Sequence, residues 1–174
     1  MIKKALYILT LACLGSVLIH IIALFFIPIF SHNKVWQQIK GLSAAYHFTL
    51  LPQAHPFLEK TDPSFSVAVC SFNLSDGPVY FSAKSDTKFW SFSLFDQNGE
   101  NIYSLNKDTS PEQKLELVLA DPIETTQIHP QKNLVIVTKS VQKGFALLRS
   151  LHVTPLEEDL SKEFLHHAKC QPFD

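Results

Sequence analysis

Hydrophobic positions change their period three times along this chain. Between Lys3-Lys4 and the polar stretch Ser31-His32-Asn33, positions 5–30 hold no charged residue. A helix over that run rises about 39 Å against a hydrocarbon core of about 30 Å, so even one stopping before Pro28 spans a bilayer. At positions 34–46, Val35, Trp36, Ile39, Leu42 and Tyr46 recur at near-helical spacing and predict a short juxtamembrane helix. Trp36 suits either the membrane interface or packing on the body. Pro52, Pro56 and Pro63, which have no N–H to donate, then predict an irregular connector.

From residue 65 the period falls to two. Positions 65–72, 79–83, 87–96 and 101–106, separated by the turns Ser75-Asp76-Gly77-Pro78 and Asp96-Gln97-Asn98-Gly99, read as four consecutive strands that supply most of one sheet. Val67 and Val69 oppose Ala68, Cys70 and Phe72, while Trp90, Phe92 and Leu94 oppose Phe89 and Phe95, as in strands covered on both faces. Leu115, Leu117 and Leu119 predict a further strand, and positions 133–140 and 144–153 predict a hairpin around Gln142-Lys143-Gly144. Helical period returns at the end. Thr154-Pro155-Leu156-Glu157 is a capping box with proline at the first helical position, and Leu156, Leu160, Phe164 and Ala168 follow at steps of four. A helix of about fifteen residues ending near Cys170 and Pro172 is expected.

The fold class is therefore mainly β: an N-terminal transmembrane helix, then a mostly antiparallel β-sandwich of about seven strands with a C-terminal α-helix. The expected divisions are an anchor at 1–30, a juxtamembrane helix and linker at 31–47, and the sandwich domain with its helix at 48–174.

Composition sharpens location more than chemistry. With 174 residues there is room for one domain plus an appendage, and a net charge of −1 leaves no basic footprint for nucleic acid. The apolar run ends without an A-x-A cleavage pattern, which favours an uncleaved anchor over a signal peptide. Cys13 lies too early in that run to be a lipoprotein cysteine. Lys3 and Lys4 directly abut the span, although Lys34 and Lys40 nearly match them. Placing the first pair inside puts the N-terminus in the cytoplasm and the body on the periplasmic side. His20, in mid-span, reads as a neutral imidazole bonded to backbone or to a neighbouring helix.

Several motifs carry a resemblance. Leu74-Ser75-x-Gly77-Pro78, Phe89-Trp90-Ser91-x-Ser93-Leu94-Phe95-Asp96, Gly99-x-Asn101-x-Tyr103 and Leu105-Asn106 resemble a bacterial family known as domain of unknown function number twelve fifty-four, in its short membrane-anchored form. Looser similarity extends to Leu50-Leu51-Pro52, Asp62-Pro63, Val69-Cys70, positions 144–149 and Cys170. In longer relatives this β domain is joined to a second one. The resemblance implies that a separately encoded, similarly anchored protein supplies that second domain here, and it implies no activity.

Candidate chemistry is sparse. Asp96-x-Asn98-Gly99-Glu100 alternates oxygen ligands, but Asn101 and Lys107 stand where a calcium loop needs glycine and a bidentate acid, so it reads as a hairpin turn. His166 and His167 project about 100° apart on a helix and cannot share a metal as an i, i+4 pair does. No nucleophile elbow, phosphate-binding glycine loop or paired acid motif is present, which leaves an enzyme as a weaker alternative. Arg149 alternates onto the face of Phe145, Leu147 and Leu151, so a buried ion pair with Asp96 or Asp121 is expected; the alternative is a pocket between the sheets near Arg149, Trp90 and Tyr103 that takes a small molecule or lipid. Cys70 and Cys170 are the cysteines outside the span, and their even count in a compartment expected to be oxidising predicts a disulfide, against two separate thiols. The combined expectation is a non-catalytic envelope interaction module, without cofactor.

Overall fold

The charge-free run at positions 5–30 can satisfy its backbone only within a helix when no water is at hand. In the computed structural model, which describes residues 2–42, 44–58, 61–84, 86–130 and 132–173, that helix is α1, Ile2–Leu42. Its segment Ile2–Phe26 reaches a mean hydropathy of 2.5 over 18 residues and is long and apolar enough to cross a membrane, a property a signal sequence shares. The expected break before a separate juxtamembrane helix is absent: the ladder continues through Pro28, which removes a single N–H, and its far end is held by packing. Ile39 is fully buried there among Leu51, Val67, Val69, Phe145 and Leu147. Trp36 stacks its ring 6.5 Å from that of Phe145, so it packs on the body. The side chains of Lys34 and Val35 lie outside the described residues.

Nine strands follow among the described residues, against the seven expected: β1 (Thr49–Leu50), β2 (Phe65–Asn73), β3 (Val79–Ala83), β4 (Trp90–Asp96), β5 (Asn101–Asn106), β6 (Leu115–Ala120), β7 (Val135–Thr138), β8 (Lys143–Leu151) and β9 (Lys169–Pro172). Two further α-helices, α2 (Pro122–Thr125) and α3 (Pro155–His167), lie among them. Sheet A runs β1-β2-β8-β4-β5 and sheet B runs β7-β6-β3-β9. All neighbours are antiparallel except β6 and β7.

Two pairings expected from adjacency in sequence are corrected. β2 and β3 do not share a sheet: Asn73 caps a short 3-10 turn by accepting from the Ser75 amide, Gly77 takes a φ of 116°, and the chain crosses to sheet B. Phe81 of β3 thereby meets Phe72 and Phe92 of sheet A at ring distances of 5.8 and 5.2 Å. Nor do β7 and β8 form a hairpin. β8 is the central strand of sheet A, bonded on both edges by β2 and β4, while β7 pairs in parallel with β6 across the sandwich. Period-two patterning fixes which residues face a core, but not which sheet supplies it.

The two-sided strands behave as their alternation predicts. Ala68, Cys70, Phe72, Trp90, Phe92 and Leu94 fill the space between the sheets, and Val67, Val69, Phe145 and Leu147 lie on the outer face of sheet A beneath the end of α1. The capping box at Thr154 forms, with Glu157 returning a bond to the Thr154 amide. α3 ends at His167, earlier than expected, because Cys170 belongs to β9 on the edge of sheet B. Phe164 and Leu165 are buried in the core between the sheets, with Phe164 beside Trp90 at 6.4 Å.

Candidate functional site

The structure separates the residues considered for an internal pocket. Trp90 points into the core and is fully buried. Arg149 pairs with Val67 and Ser91 on the opposite face of sheet A, where it is half-exposed. Asp96 pairs with Gly144, five positions along β4 from the Ser91 level of Arg149, about 17 Å away at strand rise. The expected Arg149–Asp96 ion pair is therefore absent, and no ion pair of Arg149 occurs among the described residues. Asp121 caps α2 by accepting from the Ile123 amide. Tyr103 lies in β5 opposite Leu94, half-buried against the core.

Asp96 has a local task. Its Oδ1 accepts from the Asn98 and Glu100 amides at 2.8 Å each, and Oδ2 accepts from the Asn98 side-chain amide at 2.9 Å. Gly99 alone in this turn takes the left-handed φ, 82°, the geometry of a type I turn followed by a glycine bulge. The carboxylate thus holds the β4–β5 connection.

Cys70 and Cys170 form a disulfide, with sulfurs 2.02 Å apart. Cys70 is in β2 and Cys170 in β9, so the bond joins sheet A to sheet B across the core instead of tying down the helix. Both residues are buried.

Two surface features offer something to a ligand or partner. The first is the edge of sheet A at β5. The Lys107 amide donates to the Trp90 carbonyl, which fixes the alternation of β5: Tyr103 and Leu105 bond inward to β4, while Ile102, Ser104 and Asn106 turn their N–H and C=O outward. Asn106 is closed by Thr109, which accepts from its amide and donates back to its carbonyl. Ile102 and Ser104 remain open. The other edges carry safeguards: β1 has two residues, β7 is flanked by α2 through Thr125 and Thr138, and β9 carries Lys169 and Pro172.

The second feature is a cleft of about 320 Å³ on the outer face of sheet B, lined by Tyr80, Glu112, Lys114, Glu116, Lys132, Asn133 and Phe173 among others. The Tyr80 hydroxyl donates to Glu116, and burial together with that carboxylate raises the phenol above its ordinary pKa. Glu112 accepts from Lys114 at 2.8 Å and from the Asn133 amide at 2.6 Å; these bonds hold its carboxyl below the usual range and the Lys114 ammonium above its own. No group of His, Cys, Asp and Glu suited to a metal occurs among the described residues.

Against this geometry, the family model of DUF1254, a protein of unknown function, matches residues 59–172. The chain belongs to the DUF1254 family. No curated protein matches it. Among solved structures, this DUF1254 chain is similar to the VPA0106 protein from Vibrio parahaemolyticus, with a TM-score of 0.63 and 10% identity over 83% of this chain and 35% of that one. It is also similar to an uncharacterized protein from Burkholderia cenocepacia, with a TM-score of 0.49 and 14% identity over 72% and 34% of the two chains. The DUF1254 chain thus spans about a third of the length of the solved structures it matches. The family motifs map to scaffold: the Gly77 turn that changes sheet, the buried face of β4 and the Gly99 turn. Sequence reasoning missed both surface features of this DUF1254 domain. Its only trace of the cleft was polar Ser82 and Glu116 alternating with the apolar positions of β3 and β6.

Proposed function

We propose that this chain is a membrane-anchored, non-catalytic interaction module of the cell envelope, and that it joins a second anchored β-domain protein by strand addition at β5. The N-terminus lies in the cytoplasm and the sandwich on the periplasmic side. That orientation rests on Lys3 and Lys4 beside the span and on a buried disulfide, which is at home in an oxidising compartment.

The open edge of β5 is the observation that carries the reading. Unpaired strand edges are templates for another strand, and folded proteins ordinarily blunt them with charge, proline or brevity. β5 holds neither a charge nor a proline in Asn101–Asn106, and Ile102 and Ser104 offer four backbone groups in a row to an incoming strand. The outer face of sheet A is occupied by α1, so addition at its edge extends the sheet without displacing the stalk. The VPA0106 protein lends support, since there a similar fold is accompanied by considerably more chain.

The test is crosslinking in native membranes with a photoreactive residue at position 104, followed by identification of the adduct. A second anchored β-rich protein is expected, and Ile102→Pro, which removes an outward N–H and spares the bonds to β4, abolishes the adduct while leaving the fold intact. Repeated absence of any adduct from position 104, or an adduct undiminished by Ile102→Pro, refutes strand addition.

A further inference from the structure

The cleft on sheet B faces away from α1 and away from the β5 edge, so neither the anchor nor the proposed partner strand accounts for it. We propose that it is a binding site for a neutral saccharide.

Its construction is unusual for bare surface. Four non-glycine residues take left-handed φ among the described residues, and three of them, Glu112 at 51°, Gln113 at 56° and Asn133 at 72°, lie together at this rim. Such conformations are disfavoured for residues with a Cβ and gather where the surroundings hold them for a purpose. Here Glu112 does the holding, taking the Lys114 ammonium and the Asn133 amide on its two oxygens and so tying the turn at 111–114 to the segment at 132–134.

The lining selects the ligand class. One wall is aromatic, with the Tyr80 and Phe173 rings 6.2 Å apart and tilted by 48°. The other presents two carboxylates, Glu112 and Glu116, and two ammonium groups, Lys114 and Lys132, whose charges cancel. An apolar ligand would strand those groups without water. An anion would meet both carboxylates and a cation both ammonium groups, so neither gains from the cleft as a whole. A sugar ring matches both walls: its C–H face lies on the aromatic surface, and its hydroxyls both donate to carboxylate and accept from ammonium or amide. The Tyr80–Glu116 bond keeps one acceptor preset on the aromatic side.

The experiment uses the full chain in lipid nanodiscs, titrated with tri-N-acetylglucosamine and, separately, with maltotriose, read by calorimetry and by saturation-transfer NMR. Saturable binding of either trisaccharide is expected, and which one binds identifies the sugar. Glu116→Gln, which keeps the shape of the side chain, and Phe173→Ala each weaken it by about tenfold or more, while Ile102→Pro at the sheet edge leaves it unchanged. No saturable binding of either trisaccharide by protein that unfolds cooperatively overturns the proposal, as does binding that Glu116→Gln and Phe173→Ala leave intact. Because the edge variant is silent here and decisive in the crosslinking test, the two readings fail separately.

Discussion

Opening the Cys70–Cys170 bond removes a side-chain cross-link between the two sheets. The closed loop has a sequence separation of 100 and encloses everything from β2 to β9. In the chain-entropy treatment, cross-linking a loop of that length stabilises a fold by about 4.7 kcal/mol, because the reduced unfolded chain regains the freedom the bond denied it. Reduction keeps both sulfur atoms in the core, so no buried volume is lost. Replacing both residues by alanine also removes buried volume, adding about 1 kcal/mol of packing loss. For a body of this size the combined effect lowers the thermal midpoint by roughly 10–20 °C. In urea, with a slope of about 2 kcal/mol per molar, reduction alone shifts the midpoint by about 2 M.

The assay is urea unfolding of the full chain in detergent, followed by the fluorescence of buried Trp90, with and without reductant. Wild type loses stability on reduction, whereas Cys70→Ala, Cys170→Ala and the double variant are insensitive to reductant. The two single variants nearly match the double, because either one abolishes the same bond. Coincident oxidised and reduced midpoints for wild type, or Cys70 and Cys170 both free to alkylate in unfolded, unreduced protein, would show that no such constraint exists.

Two further outcomes test the packing and the electrostatics. A Cβ at Gly144 would sit 2.3 Å from the Phe95 carbonyl oxygen and 2.7 Å from Cζ of Phe72, both on the strands flanking β8, so Gly144→Ala is expected to destabilise by about 3 kcal/mol in the same urea assay, and an unchanged midpoint would refute that close approach. The Tyr46 hydroxyl donates to the Asn73 carbonyl and to Asp76; burial, then the Asp76 bond, push its pKa up to about 12 from 10.0. The folded pKa exceeds the unfolded one, so the contribution of Tyr46 is intact below pH 10.0 and lost as pH rises towards about 12. Tyrosinate absorbance compared between wild type and Tyr46→Phe measures it, and one phenol fewer ionising near the ordinary value in the variant would contradict the shift.

Much of the architecture was written into the pattern of residues. Charge-free positions 5–30 dictate a helix able to cross a bilayer, since only internal hydrogen bonds satisfy a backbone in hydrocarbon. Alternation in Phe65–Asn73 and Trp90–Asp96 assigned each side chain its face, and the Thr154–Glu157 capping box marked where α3 starts. These are local signals, each contained within a few residues.

What the pattern could not decide was partnership at long range. β3 alternates as well as β2, yet the Gly77 turn carries it to the other sheet, and nothing in Val135–Thr138 distinguishes a parallel partner of β6 from a hairpin partner of β8. Arg149 showed the same limit: alternation put it on the face of Phe145 and Leu147, but only the tertiary structure made that face an outer one, with Asp96 at the far end of the neighbouring strand. The sequence by itself determined an N-terminal helix able to cross a bilayer, the β class and the faces of the strands. Tertiary packing decided which edge stays open at β5 and which polar residues gather beside Tyr80 and Phe173, because an edge or a cleft is made by segments distant in the chain.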